Sequence, residues 1–156
     1  MKVPPQLWNQ PHWVLQGRWD CAVCFRNLLA VLPATTTLFV EGASAAPDVD
    51  AFLRSAAEPG DCLPARQTLW PRPKQHRVRC DGPTLAALAG LAECHAVPEL
   101  LDRLFVYNRS EVPLEISDAF GRGCPAFVSG DVEERRIGSF AEMPGLDRAR
   151  RGGAVE

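Results

Sequence analysis

One stretch limits the folds open to this chain more than any other. Thr36-Thr-Leu-Phe-Val40 is a short β-branched and apolar run, long enough for one buried strand. A few residues later Pro47 stands where a first helical residue would, with Asp48 and Asp50 in the first turn. Val49, Phe52, Leu53 and Ala56 then recur at helical spacing. A strand passing into a helix through a short loop is half of a βαβ unit, which predicts a parallel or mostly parallel sheet.

The rest of the chain continues this alternation. His12–Gln16 reads as a short strand closed by Gly17. Cys21, Cys24, Phe25, Leu28, Leu29 and Leu32 mark a helix that Asp20 can cap and Pro33 can stop. Residues 58–80 form an irregular, proline-rich insertion in which Gln67–Trp70 and Arg77–Cys80 fit only edge strands. Asp81-Gly-Pro-Thr84 opens a helix with Leu85, Leu88, Leu91 and Ala92 on its buried side. A short helix follows from Pro98 to Leu104, then a strand at Phe105–Tyr107, an ambiguous Val112–Ile116 and a strand at Ala126–Ser129. Gly130-Asp131 could turn a hairpin into a strand over Val132–Ile137, but Asp131 and Glu134 have capping-box spacing, which favours a helix through Val132, Ile137, Phe140 and Met143, ending at Gly145. The fold class read from this pattern is α/β: a three-layer sandwich around a small, mostly parallel sheet of four or five strands. A single domain spans 1–145, with a Trp/Pro-rich arm at 1–11 and a disordered Arg/Gly tail at 146–156.

Composition then narrows the function classes. A net charge of −2 exerts no general pull toward nucleic acid or anionic membrane. No apolar run approaches the roughly 20 residues that span a bilayer, and the N-terminus lacks the apolar core of a signal peptide. A cytoplasmic location is expected, with the six cysteines reduced.

Trp19-Asp-Cys21-Ala-Val-Cys24 lies at a predicted helix start, where dipole and free N–H groups favour a thiolate. In its Trp and Cys-x-x-Cys it resembles the thioredoxin-type redox motif, which implies Cys21 and Cys24 as a catalytic dithiol. The alternative is that both thiols belong to an apolar helix face. Cys94 and His95 could complete a zinc set with them, but adjacent helical residues point about 100° apart, so no metal ligand is assigned. Leu38-Phe-Val-Glu41-Gly42 resembles the first motif of Toprim domains, which implies metal-dependent phosphoryl chemistry at Glu41; the only Asp-x-Asp, Asp48 to Asp50, sits in the next helix. No phosphate-binding glycine loop or nucleophile elbow is present, and no cofactor is expected.

In an open parallel sheet, ligands bind beyond the carboxyl ends of the strands. Those ends nominate Glu41, Ser44, Asn108, Arg109, Ser129 and Asp131 as ligand-binding residues. For a protein partner, Trp8 of the arm, Trp13 just after it and an Arg-rich edge (Arg72, Arg77, Arg79) are the natural anchors. The reading is therefore a small binding or accessory module docking a protein partner, with homo-oligomerisation open and with thiol–disulfide exchange as the alternative.

Overall fold

The computed structural model describes residues 7, 10–18, 20–32, 36–60, 74–96, 99–108, 111–116, 125–142 and 146–152. In chain order these form β1 (His12–Gln16), α1 (Cys21–Asn27) continued by a 3-10 turn (Leu28–Ala30), β2 (Thr37–Gly42), α2 (Pro47–Ser55), β3 (Lys74–Arg79), α3 (Gly82–Cys94), β4 (Arg103–Asn108), β5 (Glu111–Ile116), β6 (Ala126–Ser129), α4 (Glu134–Glu142) and β7 (Asp147–Arg151). None of these helices is long and apolar enough to cross a membrane.

The mostly parallel sheet of four or five strands is not what forms. All seven strands join one sheet in the order β3-β2-β4-β5-β6-β1-β7, and every neighbouring pair is antiparallel. The unit that suggested a parallel pair, β2 followed by α2, leads instead into β3, the antiparallel neighbour of β2. Where helices α3 and α4 do join strands that run the same way, an earlier strand occupies the slot between them. β3 and β4 point the same way and are linked through α3, yet β2 lies between them and opposes both. β6 and β7 are likewise linked through α4, with β1 between them. Each unit is a split βαβ arrangement, so two crossovers produce no parallel pair.

Cross-strand pairing sorts the side chains into two faces. Val78, Leu38, Val106, Leu114, Val128 and Trp13 make one row, and Val40, Leu104, Ile116, Ala126 and Leu15 the next. The buried side chains of all four helices join these rows in a single core, including Phe25, Val49, Leu53, Leu88, Ile137 and Phe140. The opposite face carries Phe39, Phe105 and Tyr107, with ring centroids 5.9–6.3 Å apart, and the charged Glu41, Arg103 and Glu115. Among the described residues the helices thus lie on one face, making two layers where three were expected.

Local chemistry explains most boundaries. Asp20 caps α1 by accepting from the Val23 N–H at 3.1 Å, and Asp81 caps α3 by accepting from Thr84 at 2.8 Å. Pro113 falls inside β5, where the pairing with β4 slips between Val106 and Asn108; the bulge accommodates a residue with no N–H to donate. Val112–Ile116 resolves as strand.

Three further expectations change. Leu104 belongs to β4, and Leu100 and Leu101 are buried in the approach to it; residues 97–98 lie outside the described residues. The Arg/Gly tail expected to be disordered supplies β7, paired with β1 from Gln16↔Asp147 to His12↔Arg151; residues 153–156 lie outside the described set. α4 starts at Glu134, so Asp131 stays in the preceding turn, and the first helical N–H groups of Arg136 and Ile137 bond to the Glu133 carbonyl. In that turn the Gly130 N–H donates to the Pro11 carbonyl at 2.8 Å, so close that a Cβ at Gly130 would collide with the Pro11 backbone.

Candidate functional site

An antiparallel sheet sends alternate strand ends to opposite rims, and this divides the proposed ligand residues. β4 and β6 both end at the rim where β1 and β5 begin, which brings Asn108 and Ser129 together. The turn after β6 adds Asp131. These three line a cavity of about 290 Å³ with Gln10, Val31, Val112, Pro113, Val132, Glu133 and Arg136. β2 runs the other way, so Glu41 and Ser44 lie at the far rim. Arg109, next to Asn108, lies outside the described residues.

The cavity has an apolar side from Val31, Val112, Pro113 and Val132 and a polar rim. The Ser129 hydroxyl accepts from the Asp131 N–H at 3.3 Å, which fixes the turn. Glu133 is paired with Arg135 at 3.3 Å. The Asp131 carboxylate and the Arg136 guanidinium have no ion-pair partner among the described residues, leaving one anion and one cation on the same rim. The volume is at the lower end of small-ligand pockets, enough for one or two side chains. Among the described residues no histidine or cysteine lines it. Sequence reasoning missed Gln10, Glu133 and Arg136. Read from the sequence, Glu133 and Arg136 look like an ordinary solvated helix face, and no local signal ties them to Asn108, which comes from the earlier strand β4.

The other candidate residues sit in different settings. Glu41 is 1 % exposed on the face away from the helices. Its Oε1 accepts from Gln75 Nε2 at 2.9 Å and its Oε2 lies 3.9 Å from Arg103 Nη1. Burial pushes its carboxyl above the usual range, against the opposing pull of Gln75 and Arg103. Of the Asp-x-Asp pair, Asp48 accepts from His95 Nε2 at 2.8 Å and Asp50 binds Arg54 and Lys74 at 2.8 and 3.2 Å, so both fasten α2 to its neighbours. No group of three or more His, Cys, Asp or Glu side chains converges on a metal position among the described residues.

Cys24 is 3 % exposed and belongs to the core, and Cys21 is half-buried against it. Burial, then the charge of Asp20, pushes the Cys21 thiol up to about 11; burial, then its neighbours Cys21 and Asp20, pushes Cys24 higher still. Both thiols are therefore held protonated at neutral pH, the reverse of what an attacking cysteine needs. Placing a hydroxyl in this core makes a distinct expectation. Cys24→Ser should cost about 1–3 kcal/mol in urea unfolding, and Cys21→Ser less than about 1 kcal/mol. Equal small losses for both would take Cys24 out of the core.

Trp13 is buried in β1, with the Arg150 guanidinium 5.8 Å from its ring centroid. Arg77 and Arg79 lie on edge strand β3, close to Glu58 and Asp81 at 3.9 and 3.8 Å. Trp8 and Arg72 fall outside the described residues. No family model, curated protein or solved structure matches this chain.

Proposed function

We propose that this protein is a binding module, and that the cavity at the β4–β6 rim receives a short exposed segment of a protein partner carrying a cation and a carboxylate. The observation that carries this reading is the convergence of Asn108, from the end of β4, with Ser129 and Asp131, from the end of β6 and its turn, beside Arg136, around one half-apolar cavity. Asp131 is available to a cationic group and Arg136 to a carboxylate, while Ser129 and Gln10 offer neutral donors and acceptors for main chain. The apolar side gives a side-chain stem something to cover.

The test is a titration of isotope-labelled protein with acetyl-Arg-Gly-Glu-amide, followed by amide shifts, with acetyl-Gln-Gly-Gln-amide as the neutral control. The charged peptide should move the amides of Asn108, Ser129 and Asp131 and bind more tightly than the control. Asp131→Asn and Arg136→Gln should each weaken it about two- to fivefold, as for exposed ion pairs. Equal affinity for the neutral peptide, or shifts that fall elsewhere, would remove the cavity as the recognition site.

A further inference from the structure

The two edges of the sheet are both rich in cations, but only one of them is satisfied. β3 carries Lys74, His76, Arg77 and Arg79, and each lies within 4 Å of a carboxylate: Asp50 for Lys74 and His76, Glu58 for Arg77, Asp81 for Arg79. Its outer backbone is also occupied along its second half. Ala57 bridges to Val78, the Glu58 N–H donates to the Arg77 carbonyl at 2.8 Å, and the Arg79 N–H donates to Ala56 at 3.2 Å.

β7 is the opposite case. All five of its residues, Asp147-Arg-Ala-Arg-Arg151, are exposed, and β1 is its only strand neighbour among the described residues. Arg148, Arg150 and Arg151 have no carboxylate partner among the described residues. Arg150 rests over Trp13, which orients it without neutralising it. Arg148 and Arg150 pair with Leu15 and Trp13 in the ladder, so both project toward the face that bears the helices, two residues apart.

We infer that the free edge of β7 binds an acidic, extended segment of another protein by adding it to the sheet as an eighth strand. An open ladder supplies the main-chain hydrogen bonds, and alternate side chains supply the selectivity. A strand laid along β7 with carboxylates at positions i and i+2 sets them opposite Arg148 and Arg150, in the geometry of stabilising cross-strand pairs. A second copy of this chain does not fit, because joining β7 to β7 brings arginines against arginines. This site is independent of the cavity and survives if the cavity reading fails.

The probe is a fluorescein-labelled peptide, acetyl-Gly-Glu-Val-Glu-Val-Glu-Gly-amide, followed by anisotropy with the full-length protein. Binding should be salt-sensitive. The triple variant Arg148→Gln, Arg150→Gln, Arg151→Gln should weaken it about tenfold or more, while Arg77→Gln with Arg79→Gln should leave it unchanged. The same peptide N-methylated on alternate residues, offered to the unaltered protein, should lose binding because one of its edges can no longer donate. Binding of the methylated peptides in both alternating registers as tightly as the parent would overturn strand addition. Tighter binding of a thymidine heptanucleotide than of the peptide, or a β7-dependent dimer in sedimentation, would also overturn the inference.

Discussion

Phe140→Ala should lower the stability of this protein by about 3–5 kcal/mol in urea unfolding, and lower its melting temperature by roughly 6–20 °C for a chain of this size. Phe140 is 2 % exposed and is the largest side chain by which α4 enters the core, next to Ile137 and Ala141. Removing the ring forfeits its burial and leaves a void that neighbouring groups can fill only in part. The position of α4 is at stake as well as the total stability. Glu133 and Arg136 stand at its first turn and line the cavity, so a helix that has lost its main anchor presents them less well. A comparison with Leu88→Ala separates the two effects. Leu88 is 1 % exposed on α3, which contributes nothing to the cavity, and its truncation should cost about 2–5 kcal/mol. Under conditions where both variants are folded, peptide binding at the cavity should fall for Phe140→Ala and persist for Leu88→Ala. Equal binding by the two would mean that the rim does not depend on how α4 is seated.

What could be read from the sequence and what could not follows from the range of the interactions involved. Periodicity reports local geometry, and it located β1, α1, β2, α2, α3 and β6 from local signals such as Asp20 and Asp81 as caps, Pro47 at a first turn and Thr37–Val40 as an apolar run. Strand direction is set by partners far away in sequence. A β3–α3–β4 crossover looks the same whether or not β2 has been laid between its strands, so no local feature distinguishes a split unit from a parallel one. The same fact redistributed the candidate site. Asn108, Ser129 and Asp131 were legible as strand-end residues, and they meet because β4 and β6 happen to run the same way. Glu41 was equally legible and stands at the other rim because β2 opposes them. Arg148 to Arg151 were hidden for a different reason. Asp-Arg-Ala-Arg-Arg has no apolar face, and it holds as a strand by pairing with β1, whose buried side chains Trp13 and Leu15 provide the burial that β7 lacks.

Glu41→Ala should cost about 2–4 kcal/mol, because it leaves Arg103 and Gln75 facing a gap in place of an acceptor. Breaking one side of a buried ion pair costs more than the pair itself contributes, and here the figure falls toward the lower end because the Arg103 side chain retains 17 % exposure and sits 3.9 Å away. Glu41→Gln should behave differently, since the amide keeps an oxygen for Gln75 while carrying no charge. The pH dependence identifies the cause. Burial raises the Glu41 carboxyl above its ordinary value of 4.5 in the folded state. Between the unfolded value and the raised one, the folded protein binds more protons than the unfolded chain, so stability decreases as pH rises through that interval. The contribution of a protonated Glu41 is complete below pH 4.5 and is lost once the folded group ionises. Glu41→Gln removes this titration, so its stability relative to the parent should improve from acid toward neutral pH, while Glu41→Ala remains below both. Urea unfolding at several pH values on either side of 4.5 measures all three curves. Should the parent instead gain on Glu41→Gln as pH rises through 4.5, the folded carboxyl would be held ionised by Arg103 where the unfolded one is protonated, and the Glu41–Arg103 contact would outweigh burial in fixing the charge on this face of the sheet.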